Sequence, residues 1–330
     1  MQDTTRTPTC SCCGYDDPVF GPEAHARRRF LQCVGLAAGT LAVGAAARTN
    51  PAYAQAGGPA PAVAQAPQAP VREISQIAGN LWRFRNNFHF SVFAVTRAGI
   101  IATDPINADA SRWLKEQLAQ RFPNQPIRYL IYSHDHADHI SGGEVLGDGA
   151  VVVAHENAKA KIVGERRPTA VPQITFRDAM TIELGGTVVE LVYAGRNHSD
   201  NSIVMRFPAE RALFAVDFIP VESLAFRNLQ DTYVEEWFDS LRRVEAMDFD
   251  ILAPGHGPLG RKEHVRQFRE YLEAVRDPVI AGIRAGQTLD QLKQSIRLER
   301  YAGWAGYQQM RELNIEGMHR YFSLFRVPNP

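Results

Sequence analysis

The stretch Ser133-His134-Asp135-His136-Ala137-Asp138-His139 places four metal-ligating side chains, His134, His136, Asp138 and His139, within six residues. Three groups of the same kind follow singly: His198 in Gly195-Arg196-Asn197-His198-Ser199, Asp217 in Leu213-Phe214-Ala215-Val216-Asp217, and His256 in Pro254-Gly255-His256-Gly257-Pro258. Imidazole and carboxylate suit zinc, iron or manganese, and the seven groups exceed what one tetrahedral ion takes. They point to two divalent cations, with zinc first and iron or manganese as the other candidates. His134 and His136 alternate in an extended turn, so both rings can face one ion. Asp138 and His139 follow the small Ala137 and can face a neighbouring position. Each later group comes shortly after a strand-like apolar run, where loops project functional side chains from a rigid scaffold. Pro and Gly on both sides of His256 make a stiff turn that fixes its direction.

Outward from the motif, residues 127–132 read as a buried-type strand that delivers the histidines at its C-terminal end. Other apolar runs of strand length fall at 81–84, 91–96, 99–103, 151–154, 180–184, 188–193, 202–207, 212–216 and 251–253, with Gly185-Gly186 as a hairpin signal. Trp113, Leu114, Leu118 and Phe122 at helical spacing predict a helix over 109–121, ended by Pro123 and Pro126. A second amphipathic helix is expected over 234–247, and the chain reads helical over 261–284, 288–296 and 306–325. Strands, helix, strands and helix again describe an α+β fold with two sheets back to back and helices outside. The folded domain is expected over 72–260, with 261–330 a helical extension packed on it.

The 330 residues are 45% hydrophobic and 22% charged, an ordinary globular balance. Equal numbers of basic and acidic residues, 36 of each, leave no positive field to gather nucleic acid, which argues for a small-molecule substrate instead. Near the N-terminus, Arg27-Arg28-Arg29-Phe30-Leu31 precedes a moderately apolar stretch, and Ala52-Tyr53-Ala54 follows. Positive region, apolar region and A-x-A site read as a secretory signal over 1–54. The paired arginines before Phe-Leu resemble the bacterial twin-arginine signal. The expectation is export, already folded, by the twin-arginine machinery to the periplasm, with metal loaded before export. Cleavage there removes Cys10, Cys12, Cys13 and Cys33, all the cysteines of the chain, so neither a disulfide nor a thiolate ligand is expected. Residues 55–71, rich in Ala, Pro, Gly and Gln, read as a disordered linker.

The H-x-H-x-D-H motif with its three later partners resembles the metallo-β-lactamase-fold metallohydrolase superfamily, over roughly residues 75–260. The resemblance implies a four-layer αββα sandwich with the site at one edge. It assigns His134, His136 and His198 to a first metal, Asp138, His139 and His256 to a second, and Asp217 to a bridge between them. It also gives Asp104, in Ala102-Thr103-Asp104-Pro105, a supporting place behind the metal loop. The implied chemistry is attack on a carbonyl or phosphorus by a hydroxide held between the cations, with Asp138 orienting that water or shuttling its proton.

Departures from the family narrow the reading. The β-lactamases of this fold carry Cys or Ser where this chain has Asp217, which lowers antibiotic cleavage as the main activity. Bridging Asp is the pattern of glyoxalase II, lactonases and phosphodiesterases; glyoxalase II needs cytosolic glutathione thioesters, which an exported protein rarely meets. The oxygen-reducing diiron branch has Glu where His136 stands. The expected function is a dinuclear hydrolase of a small ester, lactone, thioester or amide. The alternative is a metal-binding accessory or mononuclear redox protein of a periplasmic sulfur or quinoprotein system, since the tail around Leu298–Tyr301, Trp304 and Leu313-Asn314-Ile315-Glu316-Gly317 resembles that of such exported relatives. Pocket candidates are Phe88, His89, Phe90, Arg196, Phe218, Phe226 and Arg227. His155, His264 and His319 read as structural or surface residues.

Overall fold

The computed structural model describes residues 69–324. The expected signal over 1–54, its four cysteines, and the expected linker as far as residue 68 lie outside the described residues. The described chain belongs to one compact unit, Pro67–Pro330.

Strands β1 (Arg72–Ala78), β2 (Leu81–Asn86), β3 (His89–Thr96) and β4 (Gly99–Thr103) form an antiparallel meander. Helix α1 (Ala108–Arg121) then crosses over to β5 (Ile127–Ile131), which lies parallel to β4. Two one-turn helices, α2 (Ala137–Ile140) and α3 (Gly143–Leu146), lead to β6 (Val151–His155); α4 (Glu156–Gly164) leads to β7 (Ile174–Phe176), completing a seven-stranded sheet in chain order. The second sheet contains β8 (Ala179–Leu184), β9 (Thr187–Val192), β10 (Val204–Phe207), β11 (Ala212–Phe214), β12 (Ile251–Ala253) and β13 (Gly260–Arg261). Helix α5 (Val234–Glu245) is the crossover between the parallel strands β11 and β12. Helices α6 (Glu263–Arg284), α7 (Leu289–Ser295) and α8 (Tyr307–Leu324) close the chain.

The unbroken apolar run of β4 has a physical cause: both of its faces are buried. Side chains alternate along a strand, so Ile100 and Ala102 face α1 with Leu114 and Leu118, whereas Ile101 faces the other sheet. Between the sheets, Leu81, Val92 and Ile131 meet Leu191, Met205 and Phe214. On the far side, Trp237 and Leu241 of α5, Phe268 and Leu272 of α6, and Ile315 and Met318 of α8 cover Leu213 and Leu252. The architecture is therefore α+β with four αββα layers, and the C-terminal helices extend one outer layer. Asn107 starts α1 by accepting from the Ala110 N–H at 2.9 Å, and Thr288 and Gln291 cap α7 reciprocally.

Strand β1 was not apparent in the sequence because it buries only Ile74 among charged and polar neighbours. Helix α4 and strand β7 were missed because nine and three residues carry too little pattern. The helix expected from 261 begins at Glu263 because Gly260 and Arg261 pair with β12 instead. No helix among the described residues is long and apolar enough to cross a membrane.

Candidate metal centre

Strands β5, β11 and β12 bring the chain to one edge, and the loops after them are tied to one another. The Ile203 N–H donates to the Ser133 carbonyl at 2.9 Å, and the Gly255 N–H to the Val216 carbonyl at 2.8 Å. His134 lies in a bend just after β5, and His136, in extended backbone, stands at the N-terminus of α2, which carries Asp138 and His139. His198 sits in the loop between β9 and β10; Asp217 follows β11, and His256 follows β12.

The structure brings all seven candidate groups together as two sets. One ligand atom from each of His134, His136, His198 and Asp217 lies within 4.8 Å of the others, and the same holds for Asp138, His139, Asp217 and His256. His136 Nδ1 and His198 Nε2 are 3.1 Å apart, and His139 Nε2 and His256 Nε2 are 3.2 Å apart. Asp217 joins the sets: Oδ2 lies 3.1 Å from His139 Nε2, 3.6 Å from His134 Nε2 and 3.7 Å from His198 Nε2, while Oδ1 lies 3.3 Å from His256 Nε2. Ligands about 2.1 Å from a common tetrahedral ion stand roughly 3.4 Å apart, so this spacing fits two cations sharing one carboxylate.

Hydrogen bonds set which imidazole nitrogens face inward. Ser133 donates its hydroxyl to Asp104 Oδ2 at 2.6 Å, so at the 2.9 Å contact between Ser133 Oγ and His134 Nδ1 the ring must donate. That leaves His134 Nε2 unprotonated and aimed at Asp217. His256 Nδ1 lies 3.0 Å from the Phe88 carbonyl, which can only accept, so its Nε2 is likewise free. His134 Nε2 and Asp217 Oδ1 are buried and have no hydrogen-bond partner. A bound cation supplies what these orphaned lone pairs lack.

The electrostatics agree with that reading. Burial, reinforced by His136 and His139, pushes His134 well below the usual histidine range. Burial brings His198 down to about 4 against the attraction of Asp217. Burial also lowers His256. Burial alone would lift Asp217, but His139 and His256 hold it well below the usual carboxylate range. Burial would likewise lift Asp138, and the His89 ring hydrogen bond at 3.3 Å and the charge of His139 bring it to about 2 instead. His139 is the exception among the rings: Asp217 and Asp104 outweigh burial and raise it well above its ordinary value.

Several supporting residues escaped sequence reasoning. Asp135, inside the motif, is not a ligand; it is a buried anchor. Asn201 Nδ2 donates to its Oδ1 at 2.7 Å, and Arg167 Nη2 lies 2.8 Å from its Oδ2. Arg83 holds the His256 turn by donating to the Pro254 carbonyl at 3.0 Å and the Gly257 carbonyl at 2.7 Å, with its guanidinium 3.7 Å above the Phe90 ring. Burial lowers Arg83 to about 10. The sequence does not single Arg83 out: it is one of two arginines, with Arg85, in β2. Asp104 behaves as a support: it is fully buried, binds Ser133 and lies 3.4 Å from His139 Nδ1.

A cavity of about 450 Å³ opens over the site, reached by His89, His136, Asp138, His198, Asp217 and His256. Away from the ligand groups the cavity is lined by apolar Pro220, Leu224, Phe226, Leu229 and Trp237 interleaved with Ser223, Arg227, Gln230, Asp231 and Thr232. Phe218 lies beneath in the core, where its carbonyl accepts from Trp237 Nε1 at 2.9 Å. Arg196 points elsewhere, pairing with Glu236 at 2.5 Å and stacking on Tyr233. Phe88 is exposed, and His155 is a buried structural residue bonded to the Arg177 carbonyl.

A family model described as the Metallo-beta-lactamase superfamily matches residues 108–256. The chain is 26% identical over 227 residues to the 2,4-dinitroanisole O-demethylase subunit alpha of Nocardioides sp. (strain JS1661), covering 67% of this chain and 68% of that protein. It is 25% identical over 201 residues to the metallo-beta-lactamase type 2 of Bacillus sp. (strain 170), covering 57% of this chain and 77% of that one. Among solved structures, a metallo-beta-lactamase from Pontibacter korlensis superposes with a TM-score of 0.56 at 20% identity, covering 62% of this chain and 99% of the other, a likeness of fold.

Proposed function

This chain carries a metallo-beta-lactamase superfamily domain, and on that premise we propose that it is a dinuclear metal-dependent hydrolase acting on a small ester, lactone, thioester or amide with an apolar body. The observation that carries the reading is the pair of four-membered ligand sets sharing Asp217. His134, His136 and His198 would hold one cation, and Asp138, His139 and His256 the other. Bound divalent cations supply Lewis acidity and bring the pKa of a water toward neutrality.

The chain's own residues do the rest. Ser133 and the Phe88 carbonyl keep the donating nitrogens of His134 and His256 turned away from the site. Asp138 is half-exposed beside the cavity and, against the effect of burial, is held ionised with a pKa of about 2 by the His89 hydrogen bond and His139, so Oδ2 can accept a hydrogen bond and orient a water. His89, 3.3 Å from that oxygen, fixes the direction of the carboxylate at the cavity edge. Leu224, Phe226, Leu229 and Trp237 offer apolar surface for the hydrocarbon part of the substrate.

A panel of nitrophenyl esters, lactones, nitrocefin and a phosphodiester tests the reading. The expected result is carbonyl-ester or lactone turnover that is lost on chelation and restored by zinc or manganese. A protein that hydrolyses none of them and binds a single ion fits the accessory or redox alternative instead. The twin-arginine reading of residues 27–31 extends the proposal to export into the periplasm. Cell fractionation tests it, and full-length protein confined to the cytoplasm would sink it.

A further inference from the structure

The outer wall of the cavity is a segment that does not hold its own shape. Between Glu222 and Asp231, four non-glycine residues have left-handed backbone: Glu222 at φ 47°, Arg227 at 48°, Leu229 at 56° and Asp231 at 63°. Side chains disfavour that region, so the conformation persists only where the surroundings impose it. Residues 222–232 line the cavity with apolar Leu224, Phe226 and Leu229 and with polar Ser223, Arg227, Gln230, Asp231 and Thr232.

The surroundings are one face of α8. Asn314 is 1% exposed, and all of its hydrogen-bonding groups are engaged. Its amide nitrogen donates to the Ala225 carbonyl at 2.9 Å and to the Arg227 carbonyl at 2.6 Å, while its oxygen accepts from the Tyr271 hydroxyl. One turn on, Gly317 lies against the Asn228 carbonyl so closely that any side chain there would collide with it. One further turn on, Arg320 Nη2 donates to the Asn228 carbonyl at 2.8 Å and the Leu229 carbonyl at 3.3 Å. Positions 314, 317 and 320 follow one another at helical spacing; Asn314 and Arg320 bind four carbonyls of the wall, and Gly317 lets it approach. At its start, the wall is pinned by Ala305, whose N–H donates to the Glu222 carbonyl at 2.8 Å and whose carbonyl accepts from the Leu224 N–H at 3.0 Å.

We propose that Asn314 is a positioning residue for substrate selection: through the Ala225 and Arg227 carbonyls it holds residues 222–232 as the wall that sets Leu224, Phe226 and Leu229 against the substrate body. It touches neither the ligand groups nor the reacting atoms. The C-terminal extension is thus part of the substrate site, at one remove. The selectivity half of the proposal rests on the hydrolase reading above; the wall-holding half does not.

The test compares Asn314→Ala and Arg320→Met with Met318→Ala, which creates a core defect on the same helix and removes no hydrogen bond to the wall. Metal content, hydrogen exchange of peptides covering 222–232, and kinetics on an aryl ester and on the methyl ester of the same acid are measured for each full-length protein. In Asn314→Ala and Arg320→Met, exchange across 222–232 accelerates, metal content stays at the parent value, and KM for the aryl ester rises about tenfold with kcat and the methyl ester little changed. Met318→Ala lowers the melting temperature without that selective change. If Asn314→Ala does not fold, Arg320→Met, whose side chain is only part-buried, decides the question. Unchanged exchange in the wall, or an equal rise in all three variants, overturns the proposal. Faster wall exchange in a protein that hydrolyses no ester at all upholds the wall-holding role and refutes the hydrolase reading.

Discussion

The buried carboxylate of Asp104 grips Ser133 twice, accepting from its backbone N–H at 2.8 Å and from its hydroxyl at 2.6 Å. Through the second bond it dictates that Ser133 accepts from His134, and hence which nitrogen of His134 faces the site. Asp104→Asn replaces one of those acceptors with a donor and also removes the charge beside His139. Such supporting partners are worth about tenfold to a hundredfold in metal affinity. Chelator competition on Asp104→Asn should show a loss in that range, with the fold retained by circular dichroism.

Gly255 must be glycine for steric reasons. A Cβ there would stand 2.9 Å from His139 Cε1 and 3.0 Å from Asp217 Oδ1, with the side chain of Val216 pressing from behind. Gly255→Ala is expected to displace His139 or Asp217 and to bring metal content down, at a stability cost of about 1–3 kcal/mol for the overpacking. Elemental analysis alongside thermal melting checks both effects.

Asp135 is buried between Arg167 and Asn201; Arg167 also pairs with Glu165 at 2.7 Å, and Asn201 also donates to Asp200 Oδ1 at 2.8 Å. Removing the Asp135 carboxylate leaves Arg167 its Glu165 pair, so the cost is that of unmet buried hydrogen bonds, about 1–3 kcal/mol. Asp135→Ala should lose stability on that scale in urea unfolding, and the loop carrying His134 and His136 should exchange faster.

His155 links stability to acid. Its Nε2 donates to the Arg177 carbonyl at 2.7 Å and its Nδ1 accepts from the Asn157 N–H at the start of α4, so the folded state needs the neutral ring. Burial lowers its pKa below the ordinary 6.5. The unfolded chain therefore takes up a proton near pH 6.5 that the folded chain refuses, and stability falls as pH drops below that value. Urea melts at stepped pH should show the decline, and His155→Gln should flatten its slope; an unaltered slope contradicts the assignment.

How much of this was legible in the sequence depends on how locally each feature is encoded. The motif from His134 to His139 was readable because ligand-type residues that dense have no packing explanation, and β4 and β5 because both of their faces are buried. Asp135 sat in plain view within the motif, yet its anchoring role depends on Arg167 and Asn201, which lie far along the chain. Arg83 looks like any strand cation until the His256 turn folds onto it. The left-handed wall at 222–232 carries no glycine to announce it, since its conformation is imposed by Asn314 and Arg320 from α8. Phe226 and Phe218 show the limit from the other direction: both lie near Asp217 in sequence, but one lines the cavity and the other lies beneath it.

The central claim is that Asp217 is shared by two cations. Titrating purified, chelator-treated protein with excess zinc or manganese and counting bound ions by elemental analysis tests it most directly. The account predicts two ions per chain for the parent and at most one for Asp217→Ala. A parent chain that saturates with a single ion, or an Asp217→Ala variant that still binds two, contradicts it.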